Sequence, residues 1–234
     1  MQKEIYYIDD NIDISDVIEK VQGNDKDTIL KNIKIEEINQ VLKDTTSIVI
    51  IPYNISPLTG LPGNTQIHNE LKRRLKNTDA FSVLYLDLDN FKAYNDVYGF
   101  LKGDNIIKYT ADVIKNVIKE ENLEDAFIGH IGGDDFVVVV KGDDVENLCQ
   151  TIIATFDSRV NEFFKGEDIE KGYIEVENRK GIMEQFPLTS ISIGVVICEP
   201  GKFQNILEIG EVGAQMKHIA KTGMGSSYAI DRRK

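Results

Sequence analysis

Two pairs of carboxylates close apolar runs in this chain: Asp87 and Asp89 end SVLYLDLDNF, while Asp134 and Asp135 follow Gly132-Gly133 inside FIGHIGGDDFVVVV. The second stretch, Phe127–Val140, sets two glycines and two consecutive acids between β-branched runs, the pattern of a hairpin whose tip can hold a metal and a phosphate. Asp87 and Asp89 alternate onto one face of their strand, whereas Asp134 and Asp135 point to opposite faces if theirs is regular. If the two strands are neighbours, one Asp from each can bridge hard divalent cations through oxygen ligands, at about 2.1 Å for Mg²⁺. Metal-assisted phosphoryl transfer needs such a cluster to neutralise a triphosphate, orient an attacking hydroxyl and hold the leaving pyrophosphate. The glycines leave room for a nucleotide to approach the backbone, whose exposed amides can contact phosphate. A plain hairpin turn and strand-end acids account for either half alone. Both halves together, each after its own apolar strand, favour the nucleotide chemistry.

Polar groups crowd just beyond the first acid pair, where FKAYNDVYGFLKGDN carries Lys92, Asn95 and Asp104 with two glycines. Asn95 and Asp104 suit a purine edge, although turn and capping roles are equally open to them. The three histidines offer less. His68 reads as a helix-surface residue, His130 stands just before the hairpin turn and His218 lies on the last helix, with no His/Cys spacing of zinc-site type. Cys149 and Cys198 are far apart and flanked by apolar residues, as buried thiols in a reducing compartment would be.

The elements that must position these residues follow from periodicity. Residues 1–54 form a compositional zone of charge-rich helical stretches leading to the short apolar strand in TTSIVIIPY, stopped by Pro52; it reads as an arm or the remnant of an upstream regulatory module. Residues 55–234 form the main domain. It opens on the Gly/Pro-rich turn SPLTGLPGNT, where Asn64 or Thr65 can cap the following helix. That helix buries Ile67, Leu71 and Leu75, with Lys72, Arg73, Arg74 and Lys76 on a solvated face. FSVLYLDLD is a strand buried on both sides, and a helix beginning near Asn105 leads through acidic residues 120–125 to the hairpin. An amphipathic helix over 144–164, a polar excursion with one short strand, the strand LTSISIGVVIC, a last helix over 205–221 and the strand SSYAI complete the chain. Strands and helices around one sheet make an α+β or α/β domain with substantial antiparallel pairing.

The net charge of -12 and a pI of about 4.8 speak against general electrostatic binding of nucleic acid, while a metal and a few lysines still permit a local anion site. Nowhere do about 18 apolar residues run together, so the chain reads as cytoplasmic, with no membrane span.

From Ser56 to about Ile230 the sequence resembles the GGDEF domain family, bacterial enzymes that condense two GTP into cyclic di-GMP. The resemblance rests on the ordered motifs SPLTGLPGN, LDLDNFKAYNDVYGFLKGD, IGGDDF, SISIGV and AKTGMG. It implies a nucleotide cyclase and polymerase palm-like fold with a ferredoxin-like core, a central, mainly antiparallel sheet flanked by helices. It also implies Mg²⁺ or Mn²⁺ held by Asp87, the Leu88 carbonyl and Asp134. Asn95 and Asp104 fall at the guanine-recognising positions, Lys92 and Lys221 at the lysines near the phosphates, and Gly132 and Gly133 beside them. The implied catalytic set is Asp87, Asp134, Asp135 and Lys221, and turnover requires a homodimer in which each 3′-hydroxyl attacks the other monomer's α-phosphorus. A sensory or regulatory partner upstream is part of the same expectation.

The chain departs from the family pattern at several points. Asp135 stands where Glu is usual, one methylene shorter, and a displacement of about 1 Å costs about 100-fold in a positioned reaction. Ser56 replaces the usual Asp of the first turn, Asn64 an Arg, Phe100 a His, His130 an Arg and Ile131 an aromatic residue. Leu123 and Ala126 occupy the Arg and Asp positions of the product-inhibition motif, so feedback through that site is not expected. The polar stretch over 161–187 is longer than in a minimal family domain and offers a partner surface. Related palm domains with a GG-Asp-Asp core make other cyclic oligonucleotides; Asn95 and Asp104 keep GTP as the preferred ligand. The alternative to a cyclase is a degenerate member that binds nucleotide or protein without turnover.

Overall fold

The computed structural model describes residues 4–6, 48–50, 55–77, 79–143 and 145–233. The chain divides into two compact units, Met1–Ile55 and Ser56–Lys234. In the first, strands β1 (Glu4–Tyr6) and β2 (Ile48–Ile50) pair in parallel. β2 is the apolar strand anticipated before Pro52; the helical stretches anticipated upstream of it lie outside the described residues.

The second unit runs α1 (Asn64–Leu75), β3 (Phe81–Leu88), α2 (Phe91–Tyr98), α3 (Phe100–Glu120), β4 (Phe127–Gly132), β5 (Asp135–Lys141), α4 (Glu146–Val160), α5 (Gly166–Lys171), β6 (Tyr173–Glu177), β7 (Met183–Pro187), β8 (Ile191–Cys198), α6 (Ile206–Ala220) and β9 (Ser227–Asp231). The main sheet has the order β4-β5-β3-β8-β9, antiparallel throughout except for the β8–β9 pair. The expected α+β palm with a mainly antiparallel sheet is what forms.

Near-continuous apolar runs in β3, β5 and β8 demand cover on both faces of the sheet. The period of two assigns the faces. Leu84, Leu86, Leu88, Phe136, Val138, Ile193 and Val195 join α2, α3 and α4 in one core. Val83, Val137, Val139 and Val196 join Ile67 and Leu71 of α1 and Ile209 of α6 in the other. By the same parity Asp87 and Asp135 belong to the α1/α6 face, at the ends of neighbouring strands.

Several local readings change. α1 is capped at Gly63, whose amide is met by the Gln66 side chain at 3.1 Å, and not by Asn64 or Thr65. Arg74 is buried, not solvated: it reaches across to Asp125 and holds Glu70, whose carboxyl Arg73 and, after it, Arg74 keep below the usual range against the cost of burial. The helix placed near Asn105 starts at Phe100, directly after α2, with Gly99 at a φ of 83° turning the corner. Gly103 lies within α3, where any Cβ would collide with the Asn95 side chain of α2. The polar excursion contains a short helix and a two-stranded hairpin, β6–β7, rather than one strand.

α6 approaches β8 unusually closely. A Cβ on Gly194 would stand 2.7 Å from the Gly213 carbonyl oxygen and 2.9 Å from Lys217 Cα, both backbone atoms of α6. Glycine at 194 and 213 therefore sets the height of the helix over the sheet. Cys149 and Cys198 are buried free thiols, both pushed up to about 12, chiefly by burial. Among the described residues, no helix is long and apolar enough to cross a membrane.

Candidate active site

The β3–β5 register pairs Leu86 with Phe136, so the next step along each strand sets Asp87 beside Asp135. Asp87 is buried, and two ammonium groups from the C-terminal end of α6 meet it: Lys217 Nζ is 2.9 Å from Oδ2, and Lys221 Nζ contacts Oδ1. Lys217 also pairs with Asp135 Oδ1. Burial alone would raise the Asp87 carboxyl; the Lys221 and Lys217 ammoniums outweigh it and hold the group below its ordinary value. Lys217 shows the reciprocal effect: burial pulls its pKa down, and Asp135 and Asp87 more than restore it.

Among the described residues Asp134 has no ion-pair partner. Burial, and then the charge of Asp87, push its carboxyl up to about 6, a rise that Lys221 opposes only weakly. It lies in the two-residue turn Gly133-Asp134, since β5 begins at Asp135 and Gly132 pairs with Asp135. Because Asp134 lies in the turn and not in β5, strand alternation does not assign it a face opposite Asp135; the register shift between His130 and Gly132 adds its extra residue to β4. Gly133, with a φ of 59°, takes the left-handed position of the turn.

β3 ends at Leu88, leaving Asp89 in the following turn. Its carboxylate accepts hydrogen bonds from the Ser190 hydroxyl at 2.7 Å and the Ser192 hydroxyl at 2.8 Å, and its amide donates to the Ser190 carbonyl. Burial still raises it above the ordinary value, with the two serines opposing. It faces the same side as Asp87, with Lys221 Nζ at 4.0 Å, but its oxygens are spent on joining β3 to β8.

His130 is buried beneath the turn. Its Nε2 donates to the Gly133 carbonyl at 2.9 Å, which leaves Nδ1 to accept from the Ser56 hydroxyl at 2.8 Å and the Thr59 hydroxyl at 3.0 Å. The ring stacks on Phe136 with centroids 4.5 Å apart. Asn64 of α1 adds a hydrogen bond to the Ile131 carbonyl. The departures at Ser56 and His130 thus meet in space, as a hydrogen-bonded set that holds the Gly132-Gly133 tip.

α2 begins two residues after Asp89 and carries Lys92 on its exposed surface and Asn95 half-buried. Asn95 Oδ1 is buried with no hydrogen-bond partner, pressed against Gly103, and Asp104 follows Gly103 on α3. The corner between the two helices thus places Asn95 against Gly103, one residue before Asp104, with its amide oxygen unpaired among the described residues. The segment over 161–187 braces this corner: Tyr94 donates to the Phe163 carbonyl, Tyr98 to Asp168, and Asn90 to the Pro187 carbonyl. His68 and His218 are exposed on their helices, as read from the sequence. Lys217 was missed there; its signal is the spacing of four from Lys221 at the end of α6.

Comparison with known proteins places this geometry in context. A family profile described as diguanylate cyclase, GGDEF domain, matches residues 53–211. The chain is 37% identical over 111 residues to the diguanylate cyclase DgcS of Shewanella oneidensis, covering 44% of this chain and 36% of that protein. It is 26% identical over 144 residues to the diguanylate cyclase DgcZ of Escherichia coli K12, covering 60% of this chain and 46% of that one. The chain thus spans less than half the length of either relative. The crystal structure of the GGDEF domain of DgcB from Caulobacter crescentus, in complex with c-di-GMP, superposes with a TM-score of 0.57 at 20% identity, over 78% of this chain and 98% of that one.

Proposed function

The chain belongs to the diguanylate cyclase, GGDEF domain family, and we propose from that premise that it binds GTP with Mg²⁺ or Mn²⁺ and, as a homodimer, condenses two GTP into cyclic di-GMP and pyrophosphate. One observation carries the reading: Asp134 sits at the hairpin turn with no ion-pair partner among the described residues, its carboxyl pushed up to about 6 by burial and by the charge of Asp87, a condition that a bound divalent cation would relieve. The donor set fits a hard divalent ion. Among the described residues no three of His, Cys, Asp and Glu form a closed metal cluster, and Mg²⁺ typically takes one or two carboxylates plus substrate phosphates. Asp87, the Leu88 carbonyl and Asp134 would hold it. When bound, the ion neutralises triphosphate charge and lowers the cost of activating a 3′-hydroxyl.

The remaining roles fall to this chain's residues. Asn95 of α2 and Asp104 of α3 would read the guanine edge, the roles the family resemblance implies for them. Gly132 and Gly133, free of side chains at an exposed tip, would admit the phosphates to the backbone. Lys92 and Lys221 would offer positive charge to the phosphates, and Asp135, paired with Lys217, would stand beside the reacting hydroxyl. Each monomer presents one nucleotide, so the attacking hydroxyl and the α-phosphorus come from opposite copies. A cytoplasmic setting belongs to the same proposal, with residues 1–54 as the arm or module remnant through which an upstream partner acts.

The test is incubation of concentrated protein with GTP and either Mg²⁺ or Mn²⁺, with products resolved by chromatography and mass detection. Cyclic di-GMP from the wild type and none from Asp87→Ala is the expected result. Unchanged GTP at every protein concentration points instead to the degenerate, binding-only reading, and unchanged turnover in Asp87→Ala overturns the site assignment.

A further inference from the structure

α6 delivers a second ammonium that neither the sequence pattern nor the family resemblance assigns to the site. Lys217 Nζ stands between the ends of β3 and β5, 2.9 Å from Asp87 Oδ2 and in contact with Asp135 Oδ1, with its side chain 24% exposed. Its placement is built into the backbone. Gly194 removes the side chain that would separate β8 from α6, Gly213 the one that would strike Tyr85 of β3, and the Lys217 amide occupies the space a Cβ on Gly194 would need. The residue it holds, Asp135, is also the carboxylate one methylene shorter than the family's Glu.

We propose that Lys217 is a built-in counter-ion that holds Asp87 and Asp135 together and competes with divalent metal for Asp87. Two carboxylates at the ends of adjacent strands repel each other, and a single ammonium between them removes that repulsion without any bound ion. The same charge opposes an incoming cation. A neighbouring opposite charge moves a carboxylate's proton affinity by about 1–3 pKa units, and a divalent ion responds to the same potential at least as strongly. Lys217 therefore lowers the metal affinity of the empty site by about tenfold or more. The proposal rests on the assignment of Asp87 and Asp134 to metal binding made above, and Lys221 remains on Asp87 in every variant considered.

The test is titration of the metal-stripped full chain with Mn²⁺ alone, following free Mn²⁺ by electron paramagnetic resonance, for the wild type, Lys217→Met and Lys217→Arg. Met keeps the length and packing of the stem without the charge, and Arg keeps the charge. Lys217→Met should bind Mn²⁺ at least about tenfold more tightly than the wild type, with Lys217→Arg close to the wild type. Equal or weaker binding by Lys217→Met, or tightening by both variants alike, overturns the proposal. A parallel titration with an α,β-methylene analogue of GTP separates the two readings. A wild type that takes the analogue while Lys217→Met gains no Mn²⁺ affinity loses the counter-ion and keeps the nucleotide site. A wild type that takes neither ligand while Lys217→Met takes Mn²⁺ loses the GTP reading and keeps the counter-ion. Failure of every variant to bind Mn²⁺ overturns both.

Discussion

Replacing Asp134 with Asn should stabilise the metal-free protein at alkaline pH while removing a proposed metal ligand. Burial and the Asp87 charge raise this carboxyl from 3.8 to about 6, so the folded protein holds a proton that the unfolded chain has released. The stability contributed by that proton is complete below pH 3.8, declines as the pH rises and is gone above about 6. A gap of about 2 units corresponds to about 3 kcal/mol at full strength. Solvent reaches this half-buried group and screens its neighbours, which leaves about 1–2 kcal/mol. Asn presents the neutral form at every pH. Urea denaturation in chelator should therefore find Asp134→Asn more stable by about 1–2 kcal/mol near pH 8 and by about half as much near pH 5. Saturating Mg²⁺ should shrink or reverse the gain, because the metal stabilises only a folded state that binds it. Equal stability near pH 8, or a gain that does not change with pH, would refute the claim that an uncompensated charge sits at the hairpin turn.

The other predictions concern the parts that hold the site in place. Gly194→Ala puts a methyl against the backbone of α6, 2.7 Å from the Gly213 oxygen; overpacking of this kind costs about 1–3 kcal/mol, and wild-type stability in urea would show that the helix height is not set there. His130→Ala strands the Gly133 carbonyl and two hydroxyls and leaves a void under Phe136, for an expected loss of about 2–3 kcal/mol by the same assay; a loss under about 0.5 kcal/mol would remove His130 from the support of the turn. Asp135→Glu should keep or raise cyclic di-GMP formation from GTP, and a fall below about a tenth would show that the shorter carboxylate is matched to Lys217.

Much of the fold was legible in the chain itself, for physical reasons that differ by element. In β3 and β8 almost every residue is apolar, which requires cover on both faces and hence a central place in the sheet. The α3 start was misread because Gly99 and Gly103 look alike in sequence; one turns the corner at positive φ, and the other is small to clear Asn95. Arg74 was read as solvated because helical spacing says nothing of Asp125, more than fifty residues on, which supplies its partner.

The residue types of the site were determined by the sequence: paired carboxylates after apolar runs, glycines at a turn, Asn95 and Asp104 beyond them. Side-chain period orders the residues within each strand, but it is the β3–β5 register that puts Asp87 and Asp135 on one face. What only tertiary structure decided is how the charges are shared. Which acid receives an ammonium depends on β5 lying beside β3, on the two-residue turn that leaves Asp134 outside the strand, and on the close seat of α6 over Gly194. Asp89 goes to Ser190, just before β8, and Ser192 within it, Asp87 and Asp135 share Lys217, and Asp134 is left with a raised carboxyl. Electrostatic energy depends on distance in space and on burial, and neither is a function of separation along the chain.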